Sequence, residues 1–485
     1  MNHITGIPRE QLIMFPDAIE DYISADNPVH FLDAFVDTLD MSSLGFQNAA
    51  PKETGRPPYQ PKDLLKLYLY GYLNRIRSSR LLERESTRNL EVMWLLKRLS
   101  PDHKTISRFR QQHADAMRSV FKQFVLICQK ASLFGVELVA IDSTKFTASN
   151  ARDRVKTVEQ LDKSLQRIHQ SISEYLTQLE ENDQHENAAE KPPVSKESLQ
   201  QKITELKCYA SQLEEAKDTL DNSTDKHISL TDPDCRLMKN ERRIEPAYSV
   251  QTAVDAKHSL IIDFELTQDA ADNNHLSVVA QQAQTMLHTE ELTVCADAGY
   301  YDCVDLKHCE DNRITTYVPT PKHKVSKKTN VPTPEYFPDK FSYDVQTDTY
   351  CCPQGRTMHR FASKRNTKDQ RLIYLYHTTA CNECPVRSAC TPSKRGRYIN
   401  RWEHESVLEN LKQRLLLAPD IIKRRKTIVE HVFGTIKKVW GYGALLLRGF
   451  HNIGSEFALI MTAYNMRRAM NIVGVGPLLQ YLRTS

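Results

Sequence analysis

Three acidic side chains stand at positions where they could bind divalent cations. Asp142 ends the apolar run VELVAID, Asp297 follows the run LTVCA, and Glu430 lies in the basic stretch KTIVEHVFGTIKK. Two hard cations need several carboxylate oxygens, and they can flank a phosphate to activate an attacking oxygen and stabilise a leaving one. Together the three acids predict metal-dependent phosphate chemistry, although each alone is also typical of a cap or a solvated charge. Three further acids near strands compete with them: Asp255, Asp269 and Asp272.

The spacing of Glu430 and Lys437 predicts that both side chains lie on one face of a helix over residues 426–438. Seven residues make nearly two α-helical turns, a rise of about 10.5 Å, and Phe433 lies between the two on that face. An acid and a lysine so placed suit a metal ligand beside a phosphate contact. The alternative is a solvated charge on an ordinary amphipathic helix.

Apolar and β-branched runs predict the strands that position the two aspartates. These strands cover residues 136–142, 248–256, 259–267 and 292–301. Gly299 permits a sharp exit from the last of them. We therefore expect Asp142 and Asp297 at the ends of adjacent strands, with Glu430 on a facing helix.

Four of the 11 cysteines have the spacing of a tetrahedral zinc site. Cys381 and Cys384 form a C-x2-C pair, Cys390 follows them, and Cys351 or Cys352 lies about thirty residues upstream. Cys352 is the preferred fourth ligand, because the Pro-Gln-Gly that follows it forms a tight turn. Such a site can hold together a small module that has little core. The alternative is a set of free cytosolic thiols.

Residues 1–130 are predicted to be helical. Either Ser100 or Asp102 caps a helix that opens with hydroxyl and basic side chains. A short helix, a turn and such a helix suit helix-turn-helix docking on DNA, whereas the alternative is a helical bundle with a basic rim. The candidate DNA contacts are Lys104, Thr105, Ser107, Arg108 and Arg110.

Residues 155–222 predict an inserted coiled-coil hairpin of two antiparallel helices. Apolar residues follow an unbroken 3-4 spacing in the first half, and the pattern repeats in the second half with one gap at Lys217. Pro192 and Pro193 in the polar connection cannot continue a helix. The sequence does not choose between a dimerisation arm, a DNA clamp and a spacer.

Composition is typical of a soluble globular protein, with 40% hydrophobic and 26% charged residues. No stretch approaches the roughly 20 apolar residues that span a bilayer, and the first residues lack the features of a signal peptide. We therefore expect a cytoplasmic protein. The formal net charge is only +4, but residues 51–120 hold 15 Lys and Arg against 7 Asp and Glu, and residues 391–485 hold 16 against 6. These basic segments favour a polyanionic partner.

Taken in order, the segments AIDSTKF, ADAGYY and TIVEHVFGTIKK resemble the three acidic motifs of bacterial insertion-sequence transposases of the DDE class. The segments PPYQPKDLLKLYLYGYL and SPDHKTISRFR resemble the N-terminal DNA-binding domain of these enzymes, and TDPDCRLMK and YSVQTAVDA resemble segments between the first two acids. The resemblance covers most of the chain. With the patterns above, it implies an α/β fold: a ribonuclease-H-like mixed-sheet catalytic core with an N-terminal all-α DNA-binding domain, a coiled-coil hairpin insertion and a Cys-rich insertion.

The expected domains follow from this resemblance. Residues 1–130 would form the helical DNA-binding domain, and residues 131–320 the first part of the core, interrupted by the hairpin at 155–222. Residues 321–400 would form the Cys-rich, zinc-binding insertion. Residues 401–485 would form the C-terminal helical part of the core, which carries the third acid.

The resemblance makes Asp142, Asp297 and Glu430 the metal-binding triad. The third motif of the family runs Tyr-x2-Arg-x3-Glu-x6-Lys, and Lys437 matches its last position, where it would meet a DNA phosphate near the scissile bond. Its Tyr and Arg positions hold lysines here, which offer no aromatic ring and lack the planar fork of arginine. The surrounding basic residues become phosphate contacts: Lys423, Arg425, Lys426 and Lys438.

The resemblance implies a transposase that binds terminal inverted repeats, cleaves the element ends and joins 3′-hydroxyl ends to target DNA. Its cofactors would be two Mg²⁺ ions, for which Mn²⁺ substitutes, and a structural Zn²⁺. Its partners would be double-stranded DNA and a second copy of the chain, and it would not bind a membrane. It would be located in the bacterial cytoplasm, at the nucleoid. Two alternatives stay open: a catalytically inactive, transposase-derived DNA-binding protein, and a metal-dependent nuclease without strand transfer.

Overall fold

The structure, a computed structural model, describes residues 18–47, 58–185, 195–223, 225–327, 330–367 and 369–484. The chain divides into two compact units. Unit 1 comprises Met1–Gly135, Ser143–Ala270 and Glu430–Ser485, and unit 2 comprises Val136–Asp142 and Ala271–Val429. Within the described ranges, no helix has both the length and the apolar character needed to cross a membrane.

Helices form the described N-terminal part of unit 1. They are α1 (Pro28–Thr38), α2 (Pro61–Leu73), α3 (Ser79–Arg88), α4 (Leu90–Leu95), α5 (His103–Gln112) and α6 (Ala114–Lys130). Their starts follow capping rules: Asn27, Asn89 and Asp102 accept backbone N–H groups at the starts of α1, α4 and α5. Of the two predicted caps for α5, Asp102 is the one observed. Nearly every residue of α2 is buried, so this helix lies at the centre of the group.

Antiparallel strands form the next part of unit 1. The strands are β1 (Val139–Thr147), which begins in unit 2, and then β2 (Val155–Lys156), β3 (Ile228–Ser229), β4 (Arg236–Asn240), β5 (Arg243–Asp255) and β6 (Ile261–Thr267). β5 pairs with both β4 and β6, and the part of β1 in unit 1 lies beside β5. β5 is buried from Pro246 to Asp255, as expected of a central strand.

Two long helices, α7 (Val158–His185) and α8 (Lys196–Asp221), pack together where the apolar spacing predicts them. At the gap in that spacing, Lys217 pairs with Asp162 of α7 at 2.6 Å. The predicted connection with Pro192 and Pro193 lies outside the described residues. The buried side chains of this cluster are Leu161, Ile168, Ile172, Ile203, Ala210, Leu213, Leu220 and Ile228.

Parallel strands form the first part of unit 2. In chain order after β6 come α9 (Leu276–Met286), β7 (Leu292–Cys295), α10 (Cys303–Asp311) and β8 (Ile314–Tyr317). The start of β1 pairs with β7, and β7 pairs with β8, both in parallel. Asp305 of α10 accepts the N–H groups of Leu276 and Ser277, which fixes the start of α9. With the antiparallel strands of unit 1, these elements make a mixed α/β fold.

A five-stranded antiparallel sheet lies in the Cys-rich segment of unit 2, with the strand order β13-β12-β11-β10-β9. Its core is small and centres on Tyr350, Met358 and Tyr376. The elements are β9 (Ser342–Asp344), β10 (Thr349–Cys351), β11 (Thr357–Arg365), β12 (Leu372–His377), α11 (Arg387–Cys390) and β13 (Ile399–Trp402).

The last four α-helices of the chain differ from the prediction at one place, where an α-helix gives way to a π-helix. They are α12 (Glu405–Leu417), α13 (Ile421–Phe433), α14 (Phe450–Val473) and α15 (Val475–Thr484). The predicted α-helix over 426–438 ends at Phe433 and continues as a π-helix over Gly434–Val439. A π-turn holds more residues than an α-turn, so the seven-residue spacing of Glu430 and Lys437 no longer equals two turns. The prediction of one continuous α-helical face was therefore wrong.

The segment TDPDCRLMK anchors the start of α14. Asp232 accepts the N–H of Gly449 at 3.1 Å and the hydroxyl of Tyr248 at 2.9 Å, and Asp234 accepts the N–H of Phe450 at 2.8 Å. These carboxylates satisfy N–H groups that a helix start leaves without intrahelical partners. The two aspartates thus have a structural role within unit 1.

Candidate active site

Asp142 lies within β1, after the buried residues Val139, Ala140 and Ile141. The sequence predicted that this strand ends at Asp142, but it continues to Thr147. The added residues are mostly hydroxyl-bearing or aromatic side chains that suit a strand. The acid is therefore held on both sides by extended backbone.

Asp297 follows β7 and caps the short 3-10 turn Ala298–Tyr300, accepting the N–H of Gly299 at 2.7 Å. A Cβ at Gly299 would lie 2.9 Å from Oδ1 of Asp297 and 3.4 Å from Oδ2 of Asp272. The glycine therefore leaves room for two carboxylates on the same side of the turn. One of them, Asp272, is a residue that the sequence offered as a competitor.

The two predicted aspartates both follow the paired segment of two neighbouring parallel strands. Val139 pairs with Val294 and Ala140 with Cys295, and Asp142 and Asp297 each come two residues after the last of these pairs. Paired strands lie about 4.8 Å apart. Asp142 and Asp297 therefore follow the paired segment at the same level, although β1 itself continues beyond Asp142.

Asp142 is paired with Arg425 of α13. The distance from Nη1 of Arg425 to Oδ2 of Asp142 is 2.6 Å, and the arginine is 8% exposed. Arg425 is a predicted phosphate contact, but its guanidinium donates to the carboxylate of Asp142 in the structure. Burial raises the pKa of the neighbouring Cys295 thiol to about 12, a rise that Asp142 adds to and that Arg425 opposes. Burial therefore favours the protonated thiol at Cys295.

Glu430 is exposed and lies near the end of α13. Among the described residues, its carboxylate makes no hydrogen bond or ion pair. It belongs to unit 1, whereas the two aspartates belong to unit 2. The side chain is thus open to a ligand from solvent.

Lys437 lies in the π-helix and contacts β1 within unit 1. Its ammonium donates to Oγ1 of Thr144 at 3.0 Å and to the carbonyl of Lys145 at 2.5 Å. Burial lowers the pKa of Lys437. The lysine therefore fixes the part of β1 that follows Asp142. Single π-turns in helices are frequent at functional sites.

Of the other competing acids, Asp255 has a structural role. It is fully buried and accepts the N–H groups of Gly135, Lys257 and His258. Asp269 lies in a turn with Thr267, whose hydroxyl donates to the carboxylate of Asp269 across 3.2 Å.

Across the described ranges, no group of three or more His, Cys, Asp or Glu side chains is arranged to hold a metal ion.

The exposed face of α5 contains three of the predicted DNA contacts. Lys104, Ser107 and Arg108 line an open groove of about 510 Å³. Sequence reasoning missed other residues of the groove, although Gln111 continues the helical spacing of 104, 107 and 108. The missed lining residues are Ser78, Ser79, Arg80, His103 and Gln111.

Thr105 and Arg110 differ from the sequence expectation for α5. The hydroxyl of Thr105 donates to the cap Asp102 at 2.8 Å. Arg110 is 5% exposed, donates to Tyr72 at 3.1 Å and stacks on the ring of Tyr68. The prediction of Arg110 as a DNA contact is therefore wrong in this structure, because its side chain fills the core. On α13 and the π-helix, by contrast, Lys423, Lys426 and Lys438 are exposed.

The four predicted zinc ligands lie in one region of unit 2. Cys352 sits in a tight turn in which its carbonyl accepts the N–H of Gly355 at 2.8 Å. Cys390 ends α11, and both it and Cys352 pack on the small core of the five-stranded sheet. Burial raises the pKa of Cys390; Arg397 lowers it, and Cys381, Cys384 and Cys352 raise it further. The four thiols are therefore close enough to influence one another.

Two family models match the chain. The Transposase domain (DUF772) covers residues 17–112, which include α5, and the Transposase DDE domain covers residues 351–470, which include Glu430 and Lys437. No curated protein and no solved structure matches. The two matches support an insertion-sequence transposase of the DDE class. Asp142 and Asp297 lie outside both matched ranges.

Proposed function

We propose that this transposase binds the ends of its element, cleaves phosphodiester bonds there and joins the 3′-hydroxyl ends to target DNA. The observation that carries the proposal is that Asp142 and Asp297 each come two residues after the last pair of the neighbouring parallel strands β1 and β7. The transposase DDE match, which contains Glu430, gives it independent support. Water and the 3′-hydroxyl are the nucleophiles, so no Tyr or Ser of the protein is assigned that role.

The catalytic core is proposed to be ribonuclease-H-like. Parallel pairing of β1, β7 and β8 supports this in unit 2. Antiparallel pairing of β5 with β4 and β6 supports it in unit 1. The long helices α7 and α8 and the five-stranded sheet with the cysteines would be insertions into this core.

Asp142, Asp297 and Glu430 are proposed to hold two Mg²⁺ ions, for which Mn²⁺ would substitute. The donors fit, because hard divalent cations prefer carboxylate oxygens, and Gly299 leaves space beside Asp297 and Asp272. Such ions activate the attacking oxygen and stabilise the leaving oxygen of an in-line displacement. Glu430 suits the role of a metal ligand, because its carboxylate is exposed and has no hydrogen-bond or ion-pair partner within the described ranges.

Lys437 is proposed to contact the phosphate beside the scissile bond. Its ammonium is held by Thr144 and Lys145, the second and third residues after Asp142 on β1. Burial favours release of its proton, so contact with an anionic phosphate would favour the charged form. The lysine would thus join β1 to the DNA backbone.

DNA binding is assigned to two surfaces. The face of α5 with Lys104, Ser107 and Arg108 would dock on the element end, and Thr105 would keep the helix start in place. The exposed lysines at 423, 426 and 438 would hold phosphates, which position DNA without reading its sequence. Since two ends must meet, we expect a homodimer in the DNA complex, at the nucleoid in the cytoplasm. The helices α7 and α8 are one candidate interface.

The cysteines are proposed to hold a structural Zn²⁺ with Cys352, Cys381, Cys384 and Cys390 as ligands. Thiolates suit this ion, and the neighbouring positions of the four thiols support the assignment. The described geometry does not form a closed metal cage, so binding would require the side chains to converge. The ion would stabilise a sheet that has a small core of its own.

The test is an assay of end cleavage and strand transfer on the DNA that flanks the gene, with Mg²⁺ and with EDTA. Wild type should give metal-dependent cleavage and a joined product. Asp142→Ala, Asp297→Ala and Glu430→Gln should each abolish both and leave end binding largely intact. Asp311→Asn serves as the matched control, since it alters an exposed carboxylate of α10 that pairs with Lys307.

Each alternative function gives a different result in the same assay. End binding without cleavage by the wild type would identify an inactive, transposase-derived DNA-binding protein. Metal-dependent cleavage without a joined product would identify a nuclease that lacks strand transfer. Full cleavage by any one of the three acid variants would remove that residue from the ligand set.

A further inference from the structure

Arg425 and Asp142 form a short ion pair inside unit 2, although 283 residues separate them in the sequence. The side chain of Arg425 is 9% exposed and that of Asp142 is 20% exposed. Charges so far from water interact more strongly than an exposed surface pair does. The pair is therefore a strong electrostatic contact of Asp142.

Burial singles out this arginine among the basic residues of α13. Its neighbours Arg424 and Lys426 are both exposed. Nε of Arg425 is buried and has no hydrogen-bond partner among the described residues. A buried N–H without a partner costs free energy, and the attraction to Asp142 must offset that cost. The guanidinium is thus held where it is by the carboxylate.

We propose that the guanidinium of Arg425 competes with a divalent cation for Asp142. The inference rests on the proposed function, in which Asp142 is a metal ligand. Oδ2 is one of the two oxygens that this carboxylate can offer to a metal, and Arg425 occupies it. A positive charge there also repels an approaching cation, and the effect is strong where solvent is scarce. Arg425 thus lowers the metal affinity of the protein and stabilises the acid when no metal is bound.

The same contact could have the opposite effect on metal binding. If Arg425 served to hold Asp142 so that Oδ1 faces the metal, its removal would loosen a ligand and weaken binding. Competition instead predicts that its removal tightens binding. The sign of the change in affinity decides between the two.

The experiment measures Mn²⁺ binding to the full-length protein without DNA by isothermal titration calorimetry. Arg425→Gln should bind Mn²⁺ at least about threefold more tightly than wild type, because one nearby positive charge is gone. Arg425→Lys keeps the positive charge but loses the planar guanidinium, so its affinity for Mn²⁺ should fall between those of wild type and Arg425→Gln. Arg424→Gln removes the same charge from an exposed neighbour and should change the affinity less than about twofold, because solvent screens it.

The melting temperature gives a second readout. In EDTA, Arg425→Gln should melt below wild type, because the ion pair between Arg425 and Asp142 is lost. Added Mg²⁺ should raise the melting temperature of the variant more than that of wild type, since tighter binding stabilises more. A purely structural ion pair would produce the first effect without the second.

Unchanged or weaker Mn²⁺ binding by Arg425→Gln would overturn the proposal. If that variant does not fold, Arg425→Lys decides in the same way, because competition requires it to bind more tightly than wild type. Asp142→Asn separates this inference from the proposed function. Wild-type affinity in Asp142→Asn would remove Asp142 from the ligand set, whereas lost affinity there with no gain in Arg425→Gln would overturn only the competition.

Discussion

Arg77 donates to the carboxylate of Glu456 across 3.1 Å, which links the segment after α2 to the buried helix α14 within unit 1. The Glu456 side chain is 0% exposed and also accepts the N–H groups of Leu446 and Leu447. The guanidinium lies 4.4 Å from the centre of the Tyr442 ring. A buried carboxylate is thus satisfied by a partner from the N-terminal helical region.

Arg77→Met should lower the free energy of unfolding by about 3–5 kcal/mol, because it leaves a buried charge without its partner. Adding Glu456→Gln should recover part of the loss, since the two residues are coupled. Urea denaturation measures both effects. Arg84→Met, which alters an exposed arginine of α3, should stay within about 0.5 kcal/mol of wild type. A loss below about 1 kcal/mol in Arg77→Met would show that the pair is dispensable.

Gly299→Ala should lower cleavage by more than about tenfold, because the added methyl would lie 2.9 Å from Oδ1 of Asp297 and 3.4 Å from Oδ2 of Asp272. The backbone at Gly299 lies outside the left-handed region, so folding should be little affected. Gly454→Ala in α14 is the matched control, since its Cβ would meet nothing within 4 Å. Normal cleavage by Gly299→Ala would mean that these carboxylates do not need their observed positions.

Much of the framework around the acids could be predicted from the sequence. Apolar runs located β1, β5, β6 and β7, because a buried strand needs a continuous apolar stretch. The spacing of apolar residues located α7 and α8, and capping chemistry limited the cap of α5 to Ser100 or Asp102, of which the structure shows Asp102. The sequence also predicted that Asp142 and Asp297 lie on neighbouring strands, although β1 continues past Asp142 instead of ending there. These features depend on local patterns.

Features that depend on distant contacts could not be predicted. Arg110 continues a polar helical face in the sequence, and only the rings of Tyr68 and Tyr72 show that it is buried. Arg425 is one of four consecutive basic residues, and nothing local marks it as the partner of Asp142. The spacing of apolar residues in the sequence does not indicate the π-helix that follows Phe433.

Arg108→Ala and Arg110→Ala should separate DNA binding from stability on a single helix. Arg108 is exposed in the α5 groove, so its loss should weaken DNA binding and reduce the salt slope by about 1, with stability unchanged within about 0.5 kcal/mol. Arg110 is buried, so its loss should cost about 2 kcal/mol or more in unfolding free energy. Salt titrations of DNA binding and urea denaturation measure the two effects. Equal stability losses would contradict this division.

His113 should make the stability of unit 1 depend on pH. Nε2 of His113 accepts the N–H of Gln47 at 3.0 Å, so the ring is neutral and Nδ1 donates to the carbonyl of Phe109. Burial lowers the pKa of His113 below its usual 6.5. The unfolded state therefore binds more protons as pH falls below 6.5, and this contribution to stability is lost there.

His113→Gln should remove that pH dependence, because an amide does not titrate. The stability gap between wild type and variant, measured by urea denaturation at pH 7.5 and at pH 5, should narrow at the lower pH. Exposed His451→Gln is the control and should leave the pH dependence of the wild type in place. A gap that widens at pH 5 would show that the charged ring is the form the fold prefers.

Cys384→Ser should lower the zinc content of the purified protein from about one ion per chain, because a tetrahedral site needs all four ligands. It should also lower the melting temperature, since the sheet beside it has a small core. Cys351→Ser is the matched control: this thiol is exposed and lies next to the carbonyl of Cys352. Elemental analysis and thermal unfolding measure both effects. Equal zinc content in the two variants would exclude Cys384 as a ligand. A wild-type protein that contains no zinc would contradict the zinc site, and the small core would then be the main support of this sheet.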